Sequence, residues 1–201
     1  MATSEAEICN LAIRHLGINK EIADLTNDET ETAQACRAFY DTTRDQVLRD
    51  FPWPFAKAYA TLAGQVEEPN TDWGYSYRYP SDCLQARRIL SGVRVETQEF
   101  KVTYQVGRDD DGLLIFTDDA APVLEYTVRE EDPTRFPPDF VMALSLRLAH
   151  YIAPALTGGD PFKLGDRALQ LYGMEISQAM ARASMEETYE RPAESEWIEG
   201  R

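Results

Sequence analysis

Apolar residues recur along the chain with two different periods, and the change of period divides it into parts. Ile8, Leu11, Ala12, His15 and Leu16 fall at helical spacing and form one stripe. Ser4 and Glu7 precede it as a capping box, and Gly17 with Ile18 predicts a left-handed stop of the Schellman kind. A second helix is predicted from Thr26, with Glu29 three residues on. Its buried face comprises Cys36, Phe39, Tyr40, Val47, Leu48 and Phe51, and Pro52 ends it. Phe51-Pro52-Trp53-Pro54-Phe55 is rigid and aromatic, a core plug for the corner that follows. From Tyr59 to Glu130 the period falls to two. Trp73, Tyr75, Tyr77 and Tyr79 alternate with Gly74, Ser76 and Arg78, and Phe100, Val102, Tyr104 and Val106 alternate with Lys101, Thr103 and Gln105. Leu113–Thr117 and Val123–Val128 are further strands, with turns at Gly107–Gly112 and Asp118-Asp119.

Helical spacing returns after Pro137-Pro138, with Asp139 as cap and Val141, Leu144, Leu148, Tyr151, Ile152 and Ala155 as the stripe. Pro154 kinks or shortens its last turn. Thr157-Gly158-Gly159 breaks the chain, and Asp160-Pro161 restarts it as N-cap and first helical residue. Leu164, Ala168, Leu171, Tyr172, Ile176, Ala179 and Ala183 carry a fourth helix, which fades into glutamates before Pro192. The expected fold is α+β. A four-helix bundle (1–57 with 136–190) carries an inserted antiparallel β platform (58–135) and an extended C-terminal tail (191–201).

Composition narrows the function classes. The 201 residues hold 35 acidic and 20 basic side chains, a formal charge of −15. That balance disfavours a protein that tracks nucleic-acid phosphates, and one that docks on an anionic membrane. No apolar run approaches the ~18 residues of a membrane span. Cys9, Cys36 and Cys83 are scattered and odd in number, which fits a reducing compartment and synthesis in a cytoplasm. The loop Gly107–Gly112 holds three consecutive aspartates. Against a calcium-binding loop, however, it lacks the first acidic ligand and the final glutamate, and strands flank it. His15 and His150 lie on or beside helical stripes, where packed, hydrogen-bonded histidines are commoner than ligands or bases. No nucleophile-elbow, zinc-protease, phosphate-loop or dinucleotide motif is present. The residues therefore point to no catalytic group, metal or cofactor.

Two features suit recognition. One is the aromatic stripe Trp73, Tyr75, Tyr77 and Tyr79, either core or interface. The other is the acidic tail around Trp197 and Ile198, which has no local core to fill. The final residues Ile198-Glu199-Gly200-Arg201 also spell a common protease-site linker.

Glu7 to Gly17 resembles the first helix of the head-to-tail adaptor proteins of short-tailed phages, the tail tubular protein A and tail accessory factor family. Matching pieces follow in order. Asp24-Leu25 precedes a helix with Glu31, Ala35 and Cys36. Tyr40, Arg44, Asp45 and Leu48 lead into Phe51-Pro52-Trp53-Pro54-Phe55-Ala56, and Tyr79-Pro80-Ser81-Asp82-Cys83-Leu84 enters a strand. The likeness is strongest over residues 5–90. It implies a structural virion part in the phage neck, a dodecameric ring between the portal protein and the tail nozzle protein, with DNA passing through unbound. The tail would reach along the portal and the β platform would face the nozzle. Competing readings are a tail-associated cell-wall hydrolase using a carboxylate pair and an acidic regulatory or DNA-mimic protein.

Overall fold

The computed structural model describes residues 4–63, 72–93, 101–158 and 161–186. Within them lie four helices, α1 (Glu5–His15), α2 (Glu31–Asp50), α3 (Pro138–Leu156) and α4 (Pro161–Glu186). Six strands lie between α2 and α3, namely β1 (Lys57–Thr61), β2 (Tyr75–Arg78), β3 (Cys83–Ile89), β4 (Tyr104–Asp109), β5 (Gly112–Thr117) and β6 (Val123–Val128). The tail from residue 187 onward, with Trp197 and Ile198, lies outside the described residues, as do Phe100 and the Gly159-Asp160 restart.

α1 begins and ends as its sequence predicts. The Ser4 hydroxyl accepts from the Glu7 amide. At the other end Gly17 takes φ +73°, the Gly17 amide bonds the Arg14 carbonyl, and the Ile18 amide bonds Ile13. α2 starts later than predicted, capped by Thr30 rather than Thr26. The reason is local: Asp24 accepts from the Thr26 amide and Asp28 from the Thr30 amide, so side chains satisfy these donors in turns before the helix begins. Asp139 likewise stands inside the first turn of α3, behind a Pro137 cap position, and its carboxylate accepts from the Phe140 amide.

α3 is the centre of the helical layer, packed by α1, α2 and α4. A simple stripe does not describe it, because Phe140, Val141, Ala143, Leu144, Leu146, Leu148, Ala149, Ile152 and Ala153 are buried around most of its circumference. Pro154 is accommodated in its last turn. Phe39, expected inside, is 39% exposed and stacks on Tyr151 at the rim. Leu164 and Leu171 on α4 are also exposed. The bundle is therefore three helices around one, in place of four equivalent partners.

The β region is two small antiparallel sheets, where a single platform was expected. One has the order β1-β6-β3 and the other β2-β5-β4. Their facing residues, Tyr77, Ile115, Ile89, Leu124 and Tyr126, form a second core with Leu62. Alternation in the sequence assigned strands but could not reveal this split, which depends on which edges pair. β4 runs on through Gly107 to Asp109, so the turn of its hairpin with β5 shrinks to Asp110-Asp111.

β3 carries two irregularities in its pairing with β6, between Cys83 and Gln85 and between Ala86 and Arg88. Leu84 and Arg87 are thus the extra residues, and bulges re-aim side chains. Leu84 packs on the helical core. Arg87 donates from Nε to Thr127 Oγ1 at 2.8 Å, and its Nη2 lies 3.0–3.3 Å from the carbonyl oxygens of Leu48, Arg49 and Phe51. These carbonyls close α2, where orphan acceptors and the negative end of the helix dipole favour a cation. The Trp53 indole meanwhile donates to the Val47 carbonyl at 2.8 Å. Its ring meets Phe51 and Phe140 edge-on, at 5.0 and 5.1 Å.

Arg87→Met retains the stem and removes every donor. We expect it to cost about 2 kcal/mol in urea unfolding, the scale of charged hydrogen bonds to buried acceptors, with Arg87→Lys recovering only part. A neutral Arg87→Met would overturn the role assigned to this bulge. A Cβ on Gly107 would run into the Phe116 ring. Gly107→Ala should therefore lower stability by roughly 1–3 kcal/mol, and Phe116→Leu should relieve part of that loss in a double-mutant cycle.

Candidate functional site

The aromatic stripe points mostly inward. Tyr77 is 3% exposed and its hydroxyl donates to the Asp119 and Ala120 carbonyls at 3.2 and 2.8 Å. Tyr75 stacks on Tyr77, with ring centroids 6.3 Å apart. Tyr79 lies just beyond β2, half-buried, and its hydroxyl accepts from the Ala86 amide at 3.0 Å. Trp73 precedes β2 and donates from its indole to Gln105 at 3.1 Å. Tyr77 thus belongs to the core between the sheets, with Tyr75 and Tyr79 packed against it, and Trp73 is half-buried.

The aspartate-rich turn is organised by an arginine. Arg78 reaches from β2 to Asp109 at 2.6 Å and to Asp111 at 3.3 Å. The Arg78 guanidinium holds the Asp109 carboxyl below its ordinary range. These carboxylates clamp the hairpin, and no group of three or more His, Cys, Asp or Glu side chains suited to a metal occurs among the described residues. A second acid-rich cluster surrounds Arg44, which is 4% exposed. It bonds Asp41 at 3.0 Å and Asp45 at 3.1 Å, with Glu131 at 3.7 Å. Arg129 then bonds the other oxygen of Asp45 at 3.0 Å. Glu5 beside this cluster has its pKa raised, first by burial and then by Asp41.

The histidines are positioned as structural groups. Ser145 Oγ donates to the Met142 carbonyl, which leaves its oxygen to accept from His15 Nε2 at 3.2 Å. His150 Nδ1 donates to the Gly165 carbonyl at 3.0 Å and joins α3 to α4. Cys9 and Cys36 meet in the helical core. There the hydrogen bond to Cys36, reinforced by burial, pushes the Cys9 thiol up and away from reactivity.

Two clefts among the described residues are open to solvent. One, of about 580 Å³, lies between the Phe51-Pro54 corner and the end of α4, with Lys57 and Met180 among its walls. The other, of about 400 Å³, lies between the end of α1 and the first half of α4. Arg14, His15 and Arg167 line it with Leu146, Leu164 and Leu171. Sequence periodicity missed it, because its basic residues come from helices far apart in the chain. The exposed, apolar Leu164 and Leu171 on α4 were the available signal.

No described helix is long and apolar enough to cross a membrane. In comparisons with protein-family models and with curated proteins, the chain matches none.

The Arg78–Asp109 pair has a testable pH signature. A carboxyl depressed in the folded state lends stability above its unfolded pKa, and that stability is lost as pH falls through the folded value. Asp109 should titrate below the ordinary value of 3.8 in a carboxyl NMR titration and return towards it in Arg78→Gln. An unmoved Asp109 titration in Arg78→Gln would show that the guanidinium is not the cause.

Proposed function

We propose that this protein is a structural head-to-tail adaptor of a tailed phage, one wedge of a ring between portal and tail nozzle. The observation that supports it best is what the family-like residues do. Phe51, Trp53, Phe55 and Ala56 pack the corner between helices and sheets, and Arg44 with Asp45 ties that layer to Arg129. Tyr79 binds the Ala86 amide, and Asp82 accepts from the Tyr126 hydroxyl at 3.0 Å. Residues in such places build a shape, which is the work of a connector.

The charge of −15 gains a purpose in this setting. Around a closed channel, like charge on the wall disfavours phosphate binding, so a duplex slides without sticking. On this reading the channel is lined mainly by aspartate and glutamate. The acidic tail, with Trp197 and Ile198 as anchors, supplies a contact on which joining the portal depends.

Mixing the protein with its cognate portal and imaging by negative-stain microscopy should show a discrete added ring. Deleting residues 192–201 should leave a folded protein, by circular dichroism, that no longer joins the portal. Normal ring formation by the truncated chain would refute the tail's role. Failure of the full chain to bind portal, or turnover of peptidoglycan by it, would refute the adaptor reading.

A further inference from the structure

We propose that the cleft between α1 and α4 receives the acidic, aromatic C-terminal segment of a second copy of this chain, in the register of Glu194 to Glu199. This deepens the ring reading by naming a contact between subunits, and it rests on that reading for its geometry.

The cleft is unusual for its charge. In a chain of −15, two arginines line one cleft together with four leucines. The Arg14 side chain is 59% exposed and pairs with that of Glu21, 70% exposed, an arrangement that contributes little and is readily exchanged. Arg167 is exposed and has no ion-pair partner among the described residues. Leu164 and Leu171, seven residues or about two turns apart on α4, are 36% and 39% exposed. Such a surface asks for a ligand that is negative at its edges and apolar in the middle.

Glu194-Ser195-Glu196-Trp197-Ile198-Glu199 has that pattern. Residues 187–201 carry five glutamates against two arginines, with Trp197-Ile198 as the large apolar centre. Trp197 and Ile198 would cover Leu164, Leu171 and Leu146 while the flanking glutamates meet Arg14 and Arg167. Aromatic anchors enclosed by complementary charge are the usual economy of a small interface.

Reach favours a neighbouring molecule. From Glu186 back to Ala168 at the cleft is 18 helical residues, about 27 Å. Trp197 is only 11 residues beyond Glu186, at most about 36–40 Å of stretched chain. Docking within one molecule therefore demands a taut reversal along α4. A second copy carries no such demand, and donating a tail to the next subunit is a head-to-tail contact of the kind that closes rings.

The test uses the full chain. Sedimentation velocity over a concentration series should show self-association that weakens with salt. Arg14→Glu with Arg167→Glu should weaken it at least about tenfold, as should Glu194→Arg with Glu196→Arg and Glu199→Arg; combining both sets should restore it. Arg167→Glu alone, at an exposed site, carries the test if the double variant is unstable. A fluorescein-labelled peptide of residues 187–201 should bind the full chain and bind Arg167→Glu at least about tenfold more weakly; Trp197→Ala in the peptide should cost as much. Association indifferent to both charge reversals would overturn the proposal, as would a monomer at every concentration that ignores the peptide. A monomer whose own tail is protected by Arg14 and Arg167 would place the segment in its own cleft and overturn the second copy as occupant. Portal binding is scored separately. Charge-swap rescue without portal binding leaves this contact standing and removes the adaptor reading. Portal binding with inert charge swaps does the reverse.

Discussion

The end of α2 holds the molecule together. A helix of this length presents its last carbonyl groups without partners, and Pro52 prevents them from being covered by another turn. Here they lie at the boundary between two layers. The Trp53 indole takes Val47, and Arg87 gathers Leu48, Arg49 and Phe51. One side chain comes from the corner and the other from a strand. Satisfying the helix end therefore fixes the β region against the helices. Burial holds the Arg87 pKa below its usual value without discharging it, so the cation stays matched to the helix dipole.

Two cores result, and they are joined at few points. The helical core surrounds α3, whose apolar circumference requires neighbours on several sides. The second core is thin and lies between the sheets. Val128 touches both, while Leu84 packs onto the first. In the adaptor proposed above, each layer would keep its shape while the bulged strand sets their mutual position. The ion pairs add register more than stability. Glu125, 6% exposed, is held by Arg88 at 2.9 Å, and an unpaired carboxylate there would be costly.

The surface facing outward is where function must be read, and it differs from what aromatic content alone suggests. Tyr77 is consumed by the core, and its hydroxyl by backbone carbonyls. Carboxylates of the hairpin are consumed by Arg78. Among the described residues, what is left for a partner includes exposed leucines and methionines of α4 with arginines beside them, and Tyr59, Val106 and Leu113 on the sheets. In a chain with so many acids, a small basic cleft is a stronger selector than another patch of negative charge.

The sequence by itself determined the helices, both ends of α1 and several strand segments, because those depend on neighbours within a few residues. Ser4 and Gly17 bracket α1 as written, and Val123–Val128 is a strand to the residue. It placed the start of α2 four residues too early, because Asp24 and Asp28 compete locally for the same amides. Only the tertiary structure decided the rest. The pairing of edges split one expected platform into two sheets, two bulges turned Leu84 and Arg87 towards the helices, and α1 and α4, both packed on α3, flank the basic cleft. Each of these joins residues distant in the chain. Periodicity records which side of an element is apolar, and it does not record what that side will meet.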